Sequence, residues 1–308
     1  MKVKSLFIII SLACQVLLNG QQINFADQQQ ISFNSSFRKH TYSNDITSVV
    51  IRKKNNEPSF PYHLDVKKDI AIGIGGLAVA VPAYAIGPIN KLTPEQADAL
   101  SPNDVNSFDR FAISQTSKEA GIASDILQYT CVGSGVLSTL LFSKFKLKEW
   151  GTLSVMFAEA FVWNVGITYS FKNYMSRPRP YVYRDGENGG GGDSDFQSHI
   201  SGHTSTAFMC AVFVSKTYSD IFPESKAKWA VWTISLSAAT ATGLLRVFSG
   251  SHFPTDVIHG AFWGSVVGYF IPVLHRKPIF LGKKKNAQLK LSPFGMENYY
   301  GVTARINL

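Results

Sequence analysis

Five or six long apolar stretches, with strand-like alternation sustained nowhere before the last few residues, leave this chain few folds to adopt. They run Ile70–Ile89, Ile126–Phe142, Thr152–Phe171, Thr204–Tyr218, Trp229–Phe248 and Val257–Leu274. Several approach the length that crosses a bilayer core as a helix, and their Ala, Gly, Ser and Thr residues suit close helix packing. The sequence therefore reads as all-α: a membrane-embedded bundle of about five or six core helices. Mean hydropathy is only +0.03, which keeps open a soluble periplasmic domain with the same helices as core. Within the set, Ile70–Ile89 is expected to make a poor straight helix, because it carries Gly73, Gly75, Gly76, Pro82, Gly87 and Pro88. Glu159 and Asn164 interrupt Thr152–Phe171, and only Tyr299–Ile306 alternates like a strand.

The flanks divide the chain into four parts. Lys2 and Lys4 precede an apolar run, Leu6–Leu18, and Gly20 follows, so residues 1–20 read as a signal peptide rather than a short anchor. Residues 21–69 form a polar extension, 70–275 the helical domain, and 276–308 a basic tail with Arg276-Lys277 and Lys283–Lys285. Formal net charge is +9, but no nucleic-acid motif accompanies it, so the basic tail points to a membrane surface and nucleic acid is not an expected partner. Cys131 and Cys210 sit in apolar stretches and read as buried free thiols.

Clusters of lysine fall in alternate connections. Lys144, Lys146 and Lys148 lie in one, Lys226 and Lys228 in another, and Arg276–Lys285 after the last stretch. Such bias marks the cytoplasmic side. One conflict follows: a cleaved signal followed by a full crossing at Ile70–Ile89 would put those lysines outside. Either Ile70–Ile89 does not cross, or the N-terminal segment is not a cleaved signal. Lys67 and Lys68 favour the second answer, while the glycines and prolines favour the first.

Between the apolar stretches lie three polar blocks. The first is Lys172, six residues, then Arg179-Pro180; the second is Ser201-Gly202-His203; the third is Arg246, five residues, His252, three residues, Asp256. Each alone occurs anywhere. In this order and spacing they resemble the type 2 phosphatidic-acid phosphatase superfamily, which also holds class A acid phosphatases and vanadium haloperoxidases. Ile200 stands where that pattern has proline, and Leu245 where it has serine. Every residue that would carry charge or a proton is present.

The resemblance implies a phosphatase acting on a phosphomonoester or diphosphate at the outer face of the cytoplasmic membrane. The implied substrate is a lipid phosphate or a small phosphoester. His252 would attack phosphorus, with Asp256, one helical turn on, accepting its other ring N–H. His203 would protonate the leaving group and then activate water. Lys172, Arg179 and Arg246, with Ser201 and Gly202 at a helix start, would bind the phosphate. No cofactor is implied, since three cations stand in for a metal clamp. A soluble periplasmic acid phosphatase is the nearer alternative. A haloperoxidase, with vanadate held on His252, is the further one, and the chain is short for that branch. The acidic, glycine-rich run 188–195 reads as a solvated loop rather than a calcium or magnesium site, and His199 and His259 receive no role.

Overall fold

The computed structural model describes residues 60–91, 93–185, 193–277, 288–296 and 299–307. The signal-peptide reading, most of the polar extension, the glycines at 189–192 and Lys283–Lys285 lie outside the described residues. Each of the six apolar stretches forms a long helix. These are α1 Val66–Ile86, α2 Lys118–Phe142, α3 Leu147–Met175, α4 Gly202–Ile221, α5 Lys228–Phe248 and α6 Pro254–Leu274. Asp65, Ser117 and Ser201 cap α1, α2 and α4 by accepting backbone N–H groups of the first turn. Short helices at Pro94–Asp98, Ser107–Arg110 and Pro180–Asp185 fill the connections.

The stretch that was expected to be a poor helix is a continuous one. Its glycines are contact points rather than breaks. A Cβ at Gly75 or Gly76 would lie 3.2 or 3.1 Å from the Trp163 indole, and one at Gly166 would lie 3.1 Å from the backbone of Ala80. Trp163 Nε1 also donates to the Ile72 carbonyl at 3.0 Å. Packing of α1 on α3 thus outweighs the propensity cost of about 1 kcal/mol for each glycine. The helix stops at Gly87, whose φ of 70° lies in the left-handed region, just before Pro88.

Helix α4 is the axis of the bundle. It is buried along nearly its whole length and touches α2, α3, α5 and α6. Its contact with α6 is made through glycine: Cβ atoms at Gly260, Gly264 and Gly268 would fall 2.7, 2.1 and 2.4 Å from the carbonyl oxygens of Ser201, Ser205 and Met209. Spaced four apart, these glycines lie along one face and let the two backbones touch. Against α3, α4 makes a polar ladder: Ser205 Oγ donates to Asn164 Oδ1 at 2.6 Å and Asn164 Nδ2 to Thr206 Oγ1 at 3.2 Å. Asn164, an interruption in the sequence, is the polar register mark between two helices.

Successive long helices alternate in direction, which sorts the connections to two ends. At one end His63 N–H donates to the His275 carbonyl at 3.0 Å, and Tyr62 Oη to Asp220 at 2.8 Å. At the other, Ile89 N–H bonds Asn173 O, Ser117 N–H bonds Phe248 O, and Ser201 N–H bonds Asp256 O. The lysine-bearing turns at 143–146 and 222–227 belong to the first end and all three polar blocks to the second. Among the described residues three helices, α1, α5 and α6, are long and apolar enough to cross a membrane. Ile70, Ile74, Leu77 and Val81 on α1, with Ile258 and Phe262 on α6, are exposed. An aqueous surface would not carry such a belt, and the bundle is that of a membrane protein. Cys131 and Cys210 are buried free thiols, as expected.

Residues 276–308 group apart from the helical unit. Rather than a plain tail, they contain an antiparallel hairpin in which Gln288–Met296 pairs with Tyr299–Asn307, Leu291 opposite Ala304. The alternation at Tyr299–Ile306 does form a strand, and its partner carries Pro293 and Gly295, which hid it.

Because a methyl at Gly264 must push backbone rather than side chain, Gly264→Ala is expected to destabilise the detergent-solubilised protein by about 1–3 kcal/mol, read as a lowered Tm. Gly73→Ala, with nothing within 4 Å of the new Cβ, is the control and should be neutral or slightly stabilising.

Candidate active site

The eight residues read from the sequence come together where α3 ends and α4 and α6 begin. Lys172, in the last turn of α3, is buried and its Nζ donates to the Gln197 carbonyl at 2.6 Å. A Cβ at Gly202 would lie 3.7 Å from Lys172 Cε, so the first block abuts the second. The second is tied to the third by Ser201 N–H, 3.1 Å from the Asp256 carbonyl. Arg179 is held from outside: its backbone N–H donates to Asp195 O at 2.8 Å and its Nε to Ser194 O at 2.7 Å. Ser201 is fully buried and its hydroxyl is engaged as a cap, accepting from Thr204 Oγ1 at 2.9 Å.

His252 sits in the tight turn between α5 and α6 and is 1% exposed. Here the structure corrects the expected pairing. Nδ1 lies 2.8 Å from the Ser198 carbonyl and 3.8 Å from Asp256 Oδ2. A carbonyl can only accept, so Nδ1 carries the hydrogen and Nε2 keeps its lone pair. Burial pushes the imidazole well below its usual pKa, and the charges of Arg179, Lys172 and Arg246 push the same way, against the pull of Asp256. His252 is therefore a neutral ring with a free nitrogen, surrounded by three cations.

Asp256 does something other than orient that ring. Its two oxygens accept from Phe253 N–H at 2.9 Å, Ser198 Oγ at 2.5 Å, Arg177 Nη1 at 2.7 Å and His199 Nδ1 at 3.2 Å. One fully buried carboxylate thereby fastens the turn before α6 to the segment before α4. The reason is local: as third residue of its helix, Asp256 reaches back to the N–H of Phe253 before it reaches His252.

His203, in the first turn of α4, bonds Asp125 Oδ1 through Nε2 at 2.8 Å. The same oxygen lies 3.3 Å from Arg246 Nη1. Arg246 is 9% exposed, and its Nε is buried with no hydrogen-bond partner among the described residues. Leaving a buried guanidinium donor bare is costly unless an anion serves it. The cation cluster has room in its hydrogen bonding for another acceptor.

Besides Ser198, sequence reasoning missed four participants. Arg177 stood in plain view beside Arg179; it links Asp256 to Asp109, 2.9 Å from Nη2, and stacks 4.0 Å above the Phe253 ring. Asp109 is fully buried and also accepts from Thr255, but nothing marked it within a polar stretch. Asp125 is a carboxylate at the edge of an apolar run, a signal that was available. His199 joins Asp256 to His259, whose Nδ1 is 3.3 Å from His199 Nε2. A cavity of ≈ 520 Å³ lies against Arg177, His199, His259, Asp109 and Thr255, and none of the eight residues lines it.

Removing the guanidinium of Arg177 leaves two buried carboxylates unpaired, so Arg177→Met should cost about 3–5 kcal/mol of stability. The Asp109 carboxyl lies below its ordinary range: burial alone would raise it, but bonds from Thr255, Arg177 and Asn106 outweigh that. Its stabilising contribution is thus present above the usual carboxylate pKa and lost as pH falls through the lowered one. Melting curves should show wild type losing stability on acidification more steeply than Asp109→Asn.

Residues 149–279 match the model of the PAP2 superfamily, so the resemblance carried by the three blocks is borne out over the stretch that contains them all. Over 114 residues the chain is 29% identical to a lipid A 4'-phosphatase from Porphyromonas gingivalis, covering 33% of this chain and 41% of that one. Over 125 residues it is 30% identical to a lipid A 1-phosphatase from the same organism, covering 41% of this chain and 24% of that one. The chain thus spans less than half the length of either relative. Among solved structures it is similar to a transmembrane PAP2 type phosphatidylglycerolphosphate phosphatase from Bacillus subtilis, at 19% identity and a TM-score of 0.41, covering 67% of this chain and 95% of that one.

Proposed function

We propose that this protein is a membrane phosphatase that hydrolyses a phosphomonoester or diphosphate of a lipid through a phosphohistidine on His252. The observation that carries the reading is the bare Nε2 of a neutral, buried histidine inside a cage of Lys172, Arg179 and Arg246. The lipid A phosphatases similar to this chain, together with the apolar belt, favour a lipid phosphate over a soluble ester.

In this reading His252 Nε2 attacks phosphorus in line as the bond to the leaving oxygen breaks. His203 gives that oxygen its proton. Water then attacks the phosphohistidine, His203 takes up a proton from it, and the P–N bond breaks to release phosphate. Asp125 serves His203 as the carboxylate that steadies its protonated form. The carbonyl of Ser198 does the corresponding work of fixing the His252 tautomer. The cations meet the equatorial oxygens, each worth about 2–4 kcal/mol in the transition state, and the bare Nε of Arg246 is the donor best suited to a new oxygen. This chemistry asks nothing of a metal.

His252→Ala and His203→Ala should each abolish phosphate release from a lipid phosphate panel while the protein stays folded. Turnover by folded His252→Ala would end the phosphohistidine reading. Asp125→Asn should slow lipid phosphates more than p-nitrophenyl phosphate, whose leaving group needs no proton. Activity of wild type should survive EDTA and be inhibited by vanadate.

The same reading places the site on the non-cytoplasmic side, because Lys67, Lys68, Lys144, Lys146, Lys148, Lys226 and Lys228 lie at the helix ends and turns of the opposite end. Helix α1 runs the full depth of the bundle, so in this reading residues 60–65 fall on the cytoplasmic side. In a cysteine-free variant, a single cysteine at Ser194 should react with an impermeant thiol reagent in intact spheroplasts, and one at Lys146 only after lysis. The reverse pattern would invert the topology, and reaction of both before lysis would remove the membrane setting.

A further inference from the structure

At the end of the bundle away from the two histidines of the site, three ligating side chains from three helices converge. Asp69 comes from the first turn of α1, Glu159 from the body of α3, and His275 from the residue that ends α6. His275 is 1% exposed and Glu159 6%. Nε2 of His275 lies 3.1 Å from Asp69 Oδ1 and 3.1 Å from Glu159 Oε2. One ligand atom from each residue falls within 4.8 Å of the others.

The hydrogen bonding leaves this cluster incomplete. His275 Nδ1 is 2.9 Å from the Ile271 carbonyl, an acceptor only, so Nδ1 carries a hydrogen. Nε2 of the neutral ring then turns a lone pair toward two carboxylates. A proton on Nε2 is one remedy, and its direction favours Asp69. That proton meets Glu159 Oε2 only as an ion pair across 3.1 Å, and neither oxygen of Glu159, both buried, accepts a well-formed hydrogen bond among the described residues. It also leaves two carboxylates against one imidazolium, a net negative charge in a buried place, which is costly. A divalent cation serves all three groups, and two carboxylates balance its charge with His275 neutral. Separations of 3.1 Å suit adjacent ligands, each about 2.0–2.2 Å from one ion. An Nδ1–H donated to a backbone carbonyl is also the usual way a ligand histidine is oriented.

We propose that Asp69, Glu159 and His275 form a divalent-metal site of the zinc or manganese type, which accepts imidazole with carboxylates. The ion pins the start of α1 to α3 and to the end of α6. Helix α1 has need of a pin, since it packs chiefly on α3 and leaves much of its surface exposed. The site is structural. It lies about 30 Å from the catalytic turn along the 21 residues of α6 and takes no part in the phosphoryl chemistry.

The test uses the full chain, purified in detergent, stripped with chelator and titrated with Zn²⁺ and Mn²⁺ by calorimetry, with bound metal counted by mass spectrometry. Wild type should bind one ion per chain and gain Tm on binding. Glu159→Gln and Asp69→Asn keep the shapes of the side chains and should each weaken binding roughly tenfold or more. Both should lose the metal-dependent rise in Tm while retaining p-nitrophenyl phosphate turnover. Asp69 is the least buried of the three, so Asp69→Asn decides the matter if Glu159→Gln fails to fold. Stripped wild type that takes up no ion, or variants that bind as tightly as wild type, would overturn the proposal. A Tm that responds to acid but not to metal would identify a proton as the occupant and overturn it equally.

Discussion

One buried carboxylate holds the candidate site in shape. Asp256 accepts hydrogen bonds from the turn before α6, from Ser198 and His199 before α4, and from Arg177 beyond α3. Isolated in the interior, its charge would be prohibitive; with four donors it becomes the point on which three chain segments agree. Ser198 is held by that carboxylate through its side chain and offers its carbonyl to His252. The nitrogen that faces the cations is thus selected two bonds away from the ring, by a network whose centre is an aspartate that scarcely touches it.

Around that network the electrostatics are arranged against stability. Lys172 and Arg246 are buried beside Arg179 and repel one another. The fold sustains them because Lys172 and Arg179 each lean on a carbonyl, and Arg246 on Asp125 and Ser124. An anion that entered would relieve the repulsion and satisfy the bare Nε of Arg246. Such a site binds by completing a cluster that folding left short of negative charge.

Most of the fold was legible in the sequence because burial in a bundle demands long apolar helices, and all six are where their apolar runs stand. Ile70–Ile89 misled because glycine's cost is local, whereas its benefit comes from Trp163, more than eighty residues away. The strand at Gln288–Met296 was hidden by Pro293 and Gly295. That the eight residues of the candidate site lie close together was legible because the three blocks resemble a known family pattern, and each block falls at a helix end. Their partners were not. Asp109, Asp125 and Ser198 are joined to the site through space, and no periodicity reports a contact between positions so far apart. The geometry also exchanged a role: helical spacing put Asp256 near His252, but an N-terminal carboxylate satisfies free backbone N–H groups first.

The glycine contact between α6 and α4 has a bearing on how firmly the two candidate histidines are spaced. Backbone meets backbone at Gly260, Gly264 and Gly268, leaving no side chains whose rotamers could cushion a sliding or turning helix. Those two helices carry His203 and His252 on their first turns and in the residues just before them. They form a rigid jaw, and the distance between its teeth is set by the thickness of two peptide chains.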